Sequence, residues 1–172
     1  SWVRDKVLMR NYKWVGSDIS SESRAEKYHQ KAALVLITGE KSSPRKELAR
    51  IVEKQLFDEG RFVYYLGIGG LMFGLDADII DINMVPLNRK EHIRRLAEVA
   101  HIMLDAGVIL VVSAVELNAS DLDVIQTSVS QELVSVVWVG NEHTTDIPVK
   151  MHLPENENLE ASAHAIRKQL NL

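Results

Sequence analysis

The sequence predicts an α/β fold of three layers around a mostly parallel central sheet, and three observations carry that prediction. Short apolar runs alternate with amphipathic stretches of helical length, the pattern of strands joined by helical crossovers. Two of the runs, 108–115 and 133–139, are apolar almost throughout, as expected of strands buried on both faces. Glycine or proline stands at the changes between the two patterns, at Pro44, Gly60, Pro86 and Gly107.

Taken in order, residues 1–30 carry Trp2, Tyr12 and Trp14 among polar and charged residues with no sustained period. They read as an ordered N-terminal arm or inter-domain linker, with 20–27 a short capped helix. A chain that starts at Ser1-Trp2 is expected to be part of a longer polypeptide. Residues 31–172 then form one domain. Its first strand, 33–39, leads to a helix from Pro44 to Asp58 that Gly60 closes. A second strand, 61–66, runs into the glycine-rich segment 67–74, and an acidic and aliphatic segment follows to Leu87. Ile93, Leu96, Val99, Ala100 and Met103 fall at helical spacing, so 88–105 is a helix lying on the sheet, ended by Gly107. After the buried strand 108–115 come a helical stretch at 120–129 and the second buried strand, 133–139. An edge strand at 147–153 and a helix at 158–170 capped by Asn158 complete the chain.

Composition bounds the function. Hydrophobic residues make up 46% and charged ones 26%, the proportions of a soluble globular domain with a substantial core. No signal peptide is expected and no apolar run reaches membrane-spanning length, so a cytoplasmic location is expected and no membrane partner. Without cysteine there is neither a disulfide framework nor a thiolate metal site. The net charge of −4 argues against nucleic acid as a partner.

The strand at 33–39 and the helix after it are laid out as a phosphate-binding strand-loop-helix unit. The loop chemistry differs. In the pattern G-x-x-x-x-G-K followed by Ser or Thr, the second glycine lets amides curl around an anion, the lysine reaches the outer phosphates and the hydroxyl holds Mg²⁺. Counting from Gly39, these positions hold Pro44, Arg45 and Lys46. Proline supplies no N–H and suits the first turn of a helix.

The order of features resembles the adenylylsulfate kinases of sulfate assimilation, including the form fused behind the GTPase subunit of sulfate adenylyltransferase. The resemblance rests on Asp18-Ile-Ser with Arg24-Ala, on Lys31-Ala-Ala-Leu-Val-Leu-Ile-Thr-Gly39, on Gly60-Arg61, on Tyr64 with Leu66, and on Gly74-Leu75. It continues through Arg89-Lys-Glu-His-Ile-Arg-Arg95, Ala97-Glu-Val-Ala100, and Asp105-Ala-Gly-Val-Ile with Val112-Ser113. It spans about 11–113, with a short insertion between Leu75 and Arg89. It implies a P-loop NTPase fold of the nucleotide and nucleoside kinase-like kind, and ATP:adenylylsulfate phosphotransfer as the ancestral activity.

Position by position, the same resemblance implies that the catalytic equipment is gone. Of the family's GLSGSGKST loop, only Gly39 and Ser43 remain. Its D-G-D-N carboxylates fall on Gly67-Ile68-Gly69-Gly70, so no catalytic residue is assigned, and the family's carboxylate positions are Gly67 and Gly69. The arginine expected two residues before Gly74 is Met72. The asparagine of N-I-R-R that meets adenylylsulfate is His92, while Arg89, Arg94 and Arg95 are kept. After Ser113, I-S-P-x-R is replaced by Ala114-Val-Glu-Leu-Asn118, and the basic lid with its F-T-G-I-D signature has no counterpart in 141–154.

The candidate nucleotide-binding residues are therefore Gly39, Ser42, Ser43, Arg45 and Lys46, weighed against a solvated turn at 41–46. The candidate substrate-binding residues are Arg89 and His92; on a helix the arginines also read as ion-paired, Glu91 and Arg95 standing at i,i+4. No metal site is expected, since the six histidines are scattered and His143 and His152 could meet only by accident of folding. Leu71, Met72 and Phe73, where polar site residues would stand, suggest a protein contact. The expected function is that of a degenerate kinase-like pseudoenzyme domain with a structural, assembly or nucleotide-sensing role. Its expected partners are a preceding GTPase domain of the same polypeptide, other sulfate adenylyltransferase subunits and a second copy. No resident cofactor is expected. The alternatives are an active kinase using ATP and Mg²⁺ to make 3′-phosphoadenylylsulfate, and a module that binds adenylylsulfate without consuming ATP.

Overall fold

A computed structural model describes residues 1–68 and 85–172, with side chains from residue 88 onward in the second segment. The readings made on Gly69, Gly70, Leu71, Met72, Phe73, Gly74 and the acidic segment up to 84 lie outside the described residues.

Five strands form one sheet: β1 (Ala33–Gly39), β2 (Val63–Gly67), β3 (Ile109–Val115), β4 (Val134–Val139) and β5 (Met151–Leu153). Their order is β2-β3-β1-β4-β5, and every neighbouring pair is parallel. The helices are α1 (Trp2–Lys13), α2 (Ser21–Tyr28), α3 (Arg45–Asp58), α4 (Val85–Asp105), α5 (Ala119–Ser128) and α6 (Leu159–Leu170).

The nearly continuous apolar runs are explained by burial on both faces of the sheet. Leu34 and Leu36 of β1, Leu110 and Val112 of β3 and Val136 of β4 face a core shared with α4 and α5. Val35, Ile37, Val111, Val137 and Val139 face a second core shared with α3 and α6. This is the three-layer α/β arrangement expected.

Helix ends follow local chemistry. Gly60 closes α3 with φ +82°, its N–H donating to Phe57 O and that of Arg61 to Leu56 O. Gly107, at φ +94°, closes α4 through the same pair of bonds to Leu104 and Met103. Asn158 caps α6 by accepting from Ala161 N at 3.1 Å.

Two expectations need correction. The arm contains a helix, α1, that the sequence pattern hides because Val3 and Val7 are its only buried residues while Leu8, Met9 and Tyr12 of the same helix stay exposed. The edge strand is shorter than 147–153. Ile147 turns inward to 2% exposure and Pro148 has no N–H, so only Met151–Leu153 pairs with β4.

The arm also packs on the sheet-bearing part. Gln30 is 7% exposed; its Nε2 donates to Phe62 O and Gly107 O, both at 2.8 Å, and its Oε1 accepts from Phe62 N at 3.0 Å. One side chain thus ties the residues after α2 to the entrances of β2 and β3. Among the described residues, no helix is long and apolar enough to cross a membrane.

Candidate functional site

Ligands of open parallel sheets bind beyond the carboxyl ends of the strands, and here that edge is built around the end of β1. Gly39 pairs in register with Val115 and Val139. A Cβ at Gly39 would lie 1.9 Å from Val139 O, so the close approach of backbone demands glycine.

The loop after Gly39 is a tight turn, closed by Ser43 N donating to Glu40 O at 2.9 Å. Arg45, the first residue of α3, folds back into it. Its Nη1 donates to Glu40 O at 3.2 Å and to Lys41 O at 3.0 Å, and the residue is 8% exposed. A phosphate cradle points amides at an anion, whereas this loop points two carbonyls at the chain's own cation. Ser43 Oγ and Arg45 Nε are buried beside it without a hydrogen-bond partner. Ser42 and Lys46 are exposed to solvent. The Glu40 carboxylate accepts from Glu142 N at 3.3 Å, joining the loop to the turn after β4.

Gly67, the first of the two positions where the resemblance implies a carboxylate, ends β2. A Cβ there would stand 2.9 Å from Tyr65 Oη, and that hydroxyl shares a 2.7 Å hydrogen bond with Ser113 Oγ. The tyrosine crowds the space a side chain at residue 67 would enter.

Arg89 reaches the same edge from α4. Its Nη2 donates to Asp121 Oδ2 at 2.9 Å and to Val115 O at 3.1 Å, and its Nε to Asp121 Oδ1 at 3.3 Å. Asp121 is 7% exposed and completes a capping box with Asn118 at the start of α5. Sequence reasoning missed Asp121, although its spacing from Asn118 was the available signal. The ion-paired reading of the other arginines holds: Arg94 and Arg95 both contact Glu91 at 2.9 Å. The hydrogen bond from Arg94, helped by Arg95, holds the Glu91 carboxyl below its ordinary range against the opposing effect of burial. The same bond raises the Arg94 guanidinium. His92 is 8% exposed, within the fold rather than presented on its surface.

His143 and His152 do meet, by stacking with ring centroids 5.3 Å apart. His143 also lies edge-on to Trp138, while His152 Nε2 is 2.6 Å from Gly140 O. A stack is not a chelating arrangement, and among the described residues no group of three or more His, Cys, Asp or Glu is placed to hold a metal ion.

The residue pattern and the geometry meet in one comparison: the adenylylsulphate kinase family model matches residues 31–146. The chain belongs to the adenylylsulphate kinase family. Over 103 residues it is 38% identical to the bifunctional enzyme NodQ of Rhizobium sp. (strain N33), a match covering 60% of this chain and 16% of NodQ. It is 34% identical over 98 residues to the adenylyl-sulfate kinase of Staphylococcus epidermidis, covering 57% of this chain and 48% of that protein. A bifunctional enzyme CysN/CysC of Rhodopirellula baltica is 37% identical over 99 residues, or 58% of this chain and 15% of that protein. The chain therefore spans about half or less of these curated relatives. The Mycobacterium tuberculosis APS kinase CysC, solved in complex with AMPPNP and APS, shares the fold with a TM-score of 0.70 at 20% identity, over 83% of this chain and 99% of that one.

Proposed function

We propose that this member of the adenylylsulphate kinase family is a catalytically degenerate domain with an assembly or nucleotide-sensing role in a cytoplasmic sulfate-activation enzyme. The observation that carries the reading is the position of Arg45. Phosphoryl transfer is positioning and charge neutralisation by amides, Lys, Arg and Mg²⁺. In this chain the loop's inward groups are carbonyls already bonded to a guanidinium. The residues at hand do not fit a magnesium nucleotide. Lys46 stands where a hydroxyl would hold the metal, Gly67 and Gly69 stand at the carboxylate positions, and Tyr65 crowds Gly67. Arg89 and the Arg94-Arg95 pair are engaged with Asp121 and Glu91, which favours a structural role for them over substrate contact. The bifunctional relatives support a larger enzyme as the setting, with a GTPase or sulfate adenylyltransferase component as partner.

The competing reading, an active kinase making 3′-phosphoadenylylsulfate, is favoured by the name of the Staphylococcus relative. Two measurements on the purified chain separate them: calorimetric titration with Mg·ATP, ADP and adenylylsulfate, and a turnover assay for 3′-phosphoadenylylsulfate. The degenerate reading expects no product above the enzyme-free control. Turnover would overturn it. Binding without turnover selects nucleotide sensing, and silence from folded protein selects assembly.

A further inference from the structure

The last turn of α1 is fastened to the domain by a polar cluster that contains a histidine. Val3, near the start of the helix, enters the core shared with α4 and α5. Toward the other end Arg10 takes over: its Nε donates to Glu98 Oε2 at 3.1 Å and its Nη2 to Glu98 Oε1 at 3.4 Å, the fork of a guanidinium on a carboxylate. Ser128 Oγ donates to the same Oε1 at 3.1 Å, so α1, α4 and α5 meet on one side chain. The Arg10 and Glu98 side chains are 19% and 24% exposed, and water screens the cluster only in part. The third guanidinium nitrogen, Arg10 Nη1, lies 3.2 Å from Nε2 of His101, one turn along α4 from Glu98. Trp14, just past the helix, meets the same imidazole edge-on with ring centroids 5.8 Å apart.

The contact between Arg10 and His101 selects a charge state for the ring. A guanidinium has five N–H donors and no acceptor, so Nε2 must accept and the ring proton belongs on Nδ1. An imidazolium carries a proton on both nitrogens and has nothing to accept with. Protonation therefore sets N–H against N–H and places a second positive charge within hydrogen-bond reach of the first. Glu98, the acid of the cluster, is already bonded through both oxygens. Arg94, two turns back on α4, is paired with Glu91, while Lys13 and Asp105, each a turn further along its own helix, are opposite in sign.

We propose that His101 is a proton-operated lock on the N-terminal arm. With the ring neutral, Arg10 and Trp14 close on it and α1 is held on α4. With the ring charged, Arg10 is repelled and the end of α1 comes away with the segment that follows. The docked arm has no place for a second ring proton and the released arm has one, so acidification through the imidazole range of about pH 5 to 8 drives release. The inference goes beyond the assembly reading and does not rest on the loop chemistry, so the nucleotide titrations stand whichever way it falls.

The test is hydrogen exchange of the whole chain from about pH 7.5 down to 5.5, a span in which imidazoles titrate and ordinary carboxylates stay charged. Each rate is corrected for the intrinsic pH dependence of exchange, and α3 serves as the internal reference. Protection at the end of α1 is expected to fall about tenfold more than protection in α3, the change that one linked proton gives per pH unit. His101→Gln keeps an acceptor that takes no proton, and its α1 protection is expected to follow α3. The nitrogen chemical shifts of the His101 ring, read in the same samples, should show the neutral form with its proton on Nδ1 at the upper pH and should change in step with the loss of α1 protection. Wild-type α1 protection that follows α3, a pH response that survives His101→Gln, or a ring that becomes charged while α1 stays protected would each overturn the lock. The ring shifts decide the matter in the wild type even where the glutamine holds the arm poorly.

Discussion

Gly39 shows how much one missing side chain can decide. With Val139 O only 1.9 Å from where a Cβ would be built, Gly39→Ala must push β1 and β4 apart. We expect it to cost about 3 kcal/mol, read from urea unfolding. Glu91 works through charge. Its carboxyl is held below the ordinary range by Arg94 first and Arg95 next. A carboxylate depressed in the folded state contributes stability that is present above its unfolded pKa and is lost as pH falls through the folded one. Glu91→Gln should therefore cost about 1 kcal/mol at neutral pH. The gap to the wild type should close as pH drops below about 4, which unfolding curves across that range will check. At Arg45 the side chain makes the difference between a loop that waits for an anion and one already occupied by a cation. Its identity could be read in the sequence, but its direction could not.

At the scale of elements, the start of α5 bears the most consequence. Asn118 accepts from Asp121 N at 3.0 Å and Asp121 returns a bond to Asn118 N at 3.1 Å, while the same carboxylate receives Arg89 from α4. Losing Asn118 removes a cap alone. Losing Asp121 removes a cap and leaves Arg89 without its carboxylate. Asn118→Ala should thus cost about 1 kcal/mol and Asp121→Ala about 2 to 3 kcal/mol, compared by thermal unfolding of the two variants. Helix α3 and the strands β1, β3 and β4 were legible because period, glycine and proline agree there. Helix α1 was not, since a helix that buries two valines and exposes Trp2, Leu8, Met9 and Tyr12 shows no single apolar stripe to find.

Across the whole molecule, Gln30 binds the end of the arm to the entrances of β2 and β3, while Val3 of α1 packs into the core shared with α4 and α5. Gln30→Ala would leave Phe62 N and Gly107 O without their partner, while Phe62 O keeps the bond from Ile109 N. A loss of about 2 to 3 kcal/mol is expected, with faster hydrogen exchange at the Phe62 amide as the local readout. The sequence by itself determined the three layers, the succession of strands and helices along the chain after the arm, and the family, because these depend on periodicity and on motifs spread along the chain. The resemblance also implied which residue types stand at the site positions. Only the tertiary structure decided what those residues contact: that Arg45 turns onto Glu40 and Lys41, that Arg89 is drawn to Asp121, and that His143 stacks on His152. Such pairings join residues far apart in the chain or set a side chain's direction, and neither is written in local pattern. They are fixed when the sheet closes and each buried polar group must find a partner.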